Sequence, residues 1–196
     1  MNTKILIPLC AALAISACGK PSEPQNADVA TATPSTPPVT EPAAVEEASV
    51  QLAATQGHAA SGTLAVTVMG DGVHLSGNLL NLPPNGEFGF HIHEKGDCSA
   101  PDASSAGDHF NPAGAQHGNP QGAAHHGGDM LNLKSDAQGI ANVEAHVSGL
   151  TLNSGQPTDV LGRAVVVHEK ADDYSSQPAG NSGARISCGV ISKASM

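Results

Sequence analysis

The sequence predicts an all-β fold of short antiparallel strands, and three observations predict it. Apolar and polar residues alternate over short runs, and glycine, asparagine and aspartate punctuate those runs. No stretch sustains an apolar period of 3.6 residues, so little helix is expected. Alternation is what a half-buried strand requires, because successive side chains point to opposite faces.

The elements follow in order. Gly62–Met69, GTLAVTVM, sets Leu64, Val66 and Val68 against Thr63, Ala65 and Thr67. The turn Gly70-Asp71-Gly72 leads into VHLSGNLLNL, with Val73, Leu75 and Leu79 on one face, and Pro83-Pro84-Asn85-Gly86 ends that run. FGFHIH then opposes Phe88, Phe90 and Ile92 to His91 and His93. The C-terminal half repeats the style with MLNL (130–133), a turn at Ser135–Gly139, IANVEAHV and LGRAVVVHEK. Tryptophan is absent and the aromatics are Phe88, Phe90, Phe110 and Tyr174, so the core must be built from Val, Leu, Ile and Ala.

The N-terminus reads as an address. Residues 1–17 carry Lys4 and an apolar run from Ile5 to Ala17, too short to span a bilayer and ended by small residues, as in a cleaved signal peptide. Ile15-Ser16-Ala17 before Cys18 resembles the lipobox of bacterial lipoproteins, which implies an acylated Cys18 as the mature N-terminus. Gly19 after that cysteine favours the outer membrane, by resemblance to sorting rules. The expected location is the periplasm or cell envelope, held to a membrane through Cys18. Residues 18–48 are rich in Pro, Ala, Thr and Glu and too poor in large apolar side chains to order themselves. A proline-rich tether of that length could reach ~90 Å.

Residues 49–196 form a single expected domain with thirteen acids and six bases, a net of −7, which argues against nucleic-acid binding. Two of its residues are cysteines, Cys98 and Cys188. In an exported protein such a pair is read first as a disulfide, with two thiolate metal ligands as the alternative. Exposed strand faces admit a homodimer as well as a monomer.

Residues 88–129 hold six of the ten histidines. His91 and His93 stand on one face of a strand, roughly 7 Å apart, close enough to chelate one ion. More than thirty residues of Gly, Pro, Ser, Asn and His follow with no apolar period, and loops of that length are usually functional or disordered. His109, His117, His126 and Asp129 follow at intervals of sixteen, eight, nine and three, and His168 ends the Val165–Val167 run. Neutral imidazole suits copper and zinc, and an aspartate three residues after a histidine can complete an N3O zinc site. That spacing selects His126 over His125. His58, His74 and His146 are read as exposed residues.

HIH, GDHFNP, QHGNP, HGGD, VVVHEKADD and GARISCGVI, in this order, resemble the copper/zinc superoxide dismutase family over 60–192. The resemblance implies an eight-stranded Greek-key barrel with long metal-binding loops, the family being itself a standard example of sandwich architecture. It implies copper at His91, His93, His109 and His168, and zinc at His109, His117, His126 and Asp129, with His109 bridging. It also implies a Cys98–Cys188 disulfide and a carboxylate at Asp172 oriented on His91 and His117. Arg185 matches the arginine that guides the anion. The implied activity converts superoxide to dioxygen and hydrogen peroxide as copper alternates between Cu(II) and Cu(I), with His109 carrying a proton. A metal-buffering module is the competing reading, and a copper-only member a third. One zinc per copper on metal analysis supports the full site. Two departures stand out: the loop 172–184 has no Lys, Arg or Glu, and Asn119 replaces the family's commoner glycine.

Overall fold

A computed structural model describes residues 47–194. The expected signal peptide 1–17, Cys18 and the tether up to residue 46 lie outside the described residues. The strands are β1 (Ala48–Ala54), β2 (Ser61–Met69), β3 (Gly72–Leu80), β4 (Glu87–Phe88), β5 (Phe90–His93), β6 (Leu133–Lys134), β7 (Ala141–Ser148), β8 (Ala164–His168) and β9 (Arg185–Lys193). The helical content among the described residues is one 3-10 turn, Ser104–Ala106.

Seven strands form one sheet in the order β5-β8-β9-β1-β2-β3-β7, with every pairing antiparallel, and β4 pairs β6 beside it. Laid flat, the edge strands would stand roughly 29 Å apart at ~4.8 Å per strand. Yet Leu52, Leu64, Leu75, Ile92, Val143, Val165 and Ile191, one from each strand, are buried in a single core. With no long helix among the described residues to cover that face, the sheet buries it by curling onto itself into a half-barrel. The alternation read in β2, β3 and β7 is the inner face of that curl, except that Val68, next to the end of β2, is exposed because the strand there runs past the core.

The eight strands implied by resemblance become nine segments because the His-bearing run breaks at Gly89. Its β4 half pairs β6 and its β5 half pairs β8. A Cβ at Gly89 would lie 2.8 Å from the Ser182 Cβ, so glycine is needed where the loop before β9 crosses. The expected strand MLNL is shorter than read, with Leu133–Lys134 alone in the ladder. The physical reason is a competing commitment: Asn132 gives its N–H to the Tyr174 hydroxyl and its side-chain amide to Asp172. Strand β1 is an addition to the sequence reading; it bonds β2 on one side and β9 on the other.

The long loop after β5 returns along the free edge of that strand. Ile92 N–H donates to Gly128 O (2.9 Å), and Phe110 N–H donates to Ile92 O (2.8 Å). A Cβ on Gly128 would sit 2.2 Å from Ile92 O, so only glycine allows this approach. The loop is thereby fixed to the strand that carries His91 and His93.

Candidate metal centre

The curl turns Phe90 and Ile92 inward and leaves His91 and His93 on the outer face of β5, buried beneath the loop. Isolated bridges pair His93 with His109 and His91 with Asp129, bringing the loop's donors onto the strand. His168 ends β8 at a register shift and lies opposite Arg185 of β9. Two clusters result: His91, His93, His109 and His168, and His109, His117, His126 and Asp129, each with ligand atoms within 4.8 Å of one another. His109 belongs to both, and all seven residues are buried.

Hydrogen bonds to the other ring nitrogens fix the tautomers. His93 Nδ1 donates to Gly107 O (3.0 Å) and His168 Nδ1 to Gly183 O (3.3 Å). Both therefore present lone pairs at Nε2, and those two nitrogens stand 3.4 Å apart. His91 Nε2 and His117 Nε2 donate to the two oxygens of Asp172 at 2.9 and 3.0 Å, leaving a lone pair on each Nδ1. His117 Nδ1 faces the Asp129 carboxylate at 3.0 Å without hydrogen-bond geometry, and His126 Nδ1 does so at 3.5 Å.

Buried Nδ1 of His91, His117 and His126, and Nε2 of His109, lack hydrogen-bond partners. A buried polar atom left so costs about 1–3 kcal/mol. Lone pairs facing lone pairs and a carboxylate are the donor arrangement that a cation relieves. One cluster is all nitrogen, which suits copper, and the other is N3O, which suits zinc. The residues present fit both ions.

Electrostatics keep the donors competent. Burial pushes His91 and His93 well below the ordinary imidazole value of 6.5 and His168 down to about 4, so these rings are neutral at physiological pH. Burial opposes the Asp129 carboxylate, but hydrogen bonds from His109 and from the His126 main chain prevail and hold it at about 2. A consequence for the metal-depleted protein follows by linkage. Between 6.5 and about 4 the unfolded chain binds a proton at His168 that the folded protein refuses. Stability is therefore fully present above 6.5 and falls with pH through that window, by about 3 kcal/mol for His168 alone. Denaturant titrations of metal-depleted protein at pH 7 and pH 4.5 are expected to show the loss; equal midpoints would refute it.

Arg185 is half-buried beside this centre. Its Nη1 and Nη2 donate to Ala103 O (2.7 Å) and Gly107 O (2.6 Å), so the Gly107 carbonyl serves both the arginine and His93. A cleft opens here, lined by His93, His109, His168, Pro178, Ala179 and Arg185, with Glu94 and Asp108 also on its wall. Burial lowers the Arg185 pKa, while Asp108 and Asp102 act the other way. Cys98 and Cys188 are joined, with Cα atoms 5.8 Å apart.

The other histidines behave differently. His125 Nδ1 donates to the His126 carbonyl (2.7 Å), outside both clusters. His74 and His146 lie on the outer face of β3 and β7 against Glu144 and Asp71, and His58 is exposed. Asn119 is not among the positive-φ residues, so its departure from glycine carries no backbone strain. The sequence reading missed Asn132, whose amide exchanges hydrogen bonds with the main chain of Asp172 at 2.9 Å each way, and the carbonyl of Gly107.

A curled all-β half-barrel that presents six imidazoles and a carboxylate as two pockets sharing one histidine defines a metalloprotein with a paired copper and zinc centre. Residues 60–191 match the model of the copper/zinc superoxide dismutase family (SODC), and the chain belongs to that family. It is an enzyme of that kind, with superoxide as substrate and copper and zinc as metals. It is 46% identical over 125 residues to Superoxide dismutase [Cu-Zn] 2 of Aquifex aeolicus, covering 61% of this chain and 72% of the relative. It is 45% identical to the superoxide dismutase-like protein YojM of Bacillus subtilis, covering 61% of each. Among solved structures, a SOD-like protein from Bacillus subtilis superposes with a TM-score of 0.66 at 41% identity, covering 73% of this chain and 97% of that one. The clock protein EA4 gives 0.68 at 39% identity, covering 76% and 96%.

Proposed function

We propose that this chain dismutates superoxide outside the cytoplasm, tethered to a bacterial membrane through an acylated Cys18, and so protects the cell envelope against external superoxide. One observation carries the chemistry: His109 offers one nitrogen to each cluster at the floor of a cleft that also holds Arg185. His91 through Nδ1, His93 and His168 through Nε2, and His109 through Nε2 would hold copper. His109, His117 and His126 through Nδ1, with Asp129, would hold zinc. Bound copper supplies the one-electron redox change, and bound zinc the charge that orients the shared imidazole.

The chain's own residues do the rest. Arg185, charged at any physiological pH and held by two carbonyls, pairs with the incoming anion and sets its place in the cleft. His109 Nε2 takes up a proton and returns it to the reduced product. With the loop 172–184 lacking basic residues, attraction of the anion rests on Arg185 and the metals, against Glu94 and Asp108 on the same wall. Steering by a local field of this kind is a property for which the enzyme family is a standard example.

Superoxide-dependent turnover of the metal-loaded full chain tests this. Arg185→Ala is expected to lower kcat/KM roughly 10-fold or more, and Asp108→Asn to raise it roughly 2-fold at low ionic strength, with the gain fading at high salt. Full metal occupancy without turnover would sink the proposal. The anchor has separate support in the leader, the cysteine that follows it and the disulfide, a bond that persists in oxidising compartments. Cys18→Ser is expected to move the protein from the membrane pellet to the soluble fraction; retention in the pellet would count against acylation.

A further inference from the structure

We propose that Gln177 is a positioning residue for the zinc half of the centre, acting through the main chain of His117. The Gln177 Oε1 accepts the His117 N–H at 3.0 Å, and its Nε2 donates to the His117 carbonyl at 2.8 Å. Both polar ends of one amide are thus spent on one residue sixty positions away; Nε2 also reaches the Ser175 carbonyl at 3.4 Å. Among the described residues, no main-chain group bonds the His117 N–H or carbonyl. His117 lies in an irregular loop, so no ladder or helix fixes its backbone.

The ring of His117 is held separately, by Nε2 on Asp172 Oδ1. A single ligand is therefore gripped at both ends by residues five apart in one loop. That loop is itself braced: the Asp173 carboxylate accepts from Ser175 N, Ser176 N, Ser176 Oγ and Asn181 Nδ2 at 2.6–3.1 Å. The division of labour is informative. Asp172 touches a ligand of each metal, His91 and His117, whereas the Gln177 amide touches only the zinc side. Loss of the clamp lets the His117 backbone drift while its ring stays on Asp172, which spoils the aim of Nδ1 toward Asp129. Supporting groups of this kind typically change metal affinity 10–100-fold.

The inference rests on the reading of His109, His117, His126 and Asp129 as the zinc site. The experiment uses the full chain loaded with copper and zinc, and measures each metal's dissociation constant by chelator competition. Gln177→Ala is expected to weaken zinc roughly 10–100-fold and to leave copper within about 2-fold. Gln177→Met fills the same volume without either polar end and is expected to behave as the alanine variant. Cobalt placed in the zinc site of each variant is expected to show shifted visible bands. A methionine variant that binds zinc as the parent does would reduce Gln177 to packing and overturn the proposal, as would unchanged cobalt spectra in both. A parent protein that takes up copper but no zinc would overturn the zinc reading itself, an outcome visible before any variant is made.

Discussion

Asp172→Ala is expected to lower turnover about 100-fold by weakening both metals together. The carboxylate is buried and shares its two oxygens between His91 Nε2 and His117 Nε2, at 2.9 and 3.0 Å. Removing it strips the acceptor from two buried ring N–H groups, each a loss of about 1–3 kcal/mol. The rings are then free to adopt the other tautomer, which places a proton on the Nδ1 that should carry the lone pair. Space around the carboxylate is filled: a Cβ on Gly180 would lie 2.5 Å from the Asp172 Cγ. Alanine therefore also leaves a polar hole that water can enter. Metal analysis after dialysis should find both copper and zinc depleted, whereas Gln177→Ala should deplete zinc alone. Retention of both metals with full activity would show that the tautomers are fixed by something other than Asp172.

Why some of this was legible in sequence, and some not, comes down to chemistry that residue type can or cannot advertise. The seven donors implied by the resemblance of HIH, GDHFNP, QHGNP, HGGD and VVVHEKADD to the family are the seven the structure gathers into two clusters, while His125, in the same loop, stays outside both. The inner faces of β2, β3 and β7 were readable because alternation is local. Strand β1 was not, although Val50 and Leu52 alternate correctly. It follows a proline-rich stretch, offers two large apolar residues, and is held as much by β9, over 130 residues away, as by its sequence neighbour β2. Asn132 and Gln177 were equally silent. An amide in a loop has no signature until folding brings its partner, forty or sixty positions distant, within reach. Asp108 sat unremarked inside a motif, and only the cleft shows that its charge opposes Arg185 on an anion's path.

Cleaving the Cys98–Cys188 bond is expected to cost stability and catalysis by separable routes. It joins residues ninety positions apart, and the chain-entropy model values such a closure at roughly 4–5 kcal/mol, so the melting temperature of a Cys98→Ser variant should fall on the order of 10 °C. The catalytic route is geometric. Cys98 packs with Ala103, Ala106, Ala164, Val166 and Cys188 in a small cluster of its own, apart from the main core. The carbonyls of Ala103 and Gly107, in the same loop, hold the Arg185 guanidinium, and Gly107 also holds His93. Ala103 does this at φ 57, a left-handed conformation that costs an alanine about 1–2 kcal/mol and persists only when its surroundings enforce it. The disulfide is one such constraint, three residues along β9 from Arg185. Without it the loop can relax Ala103, and the arginine loses an acceptor. At 25 °C, well below melting, the variant should therefore keep its metals and lose kcat/KM roughly 10-fold, about the loss expected for Arg185→Ala. In the Arg185→Ala background the same cysteine substitution should lower the melting temperature but barely change turnover. Independent, multiplicative losses in the double variant would mean that the bond supports activity by some path other than the arginine.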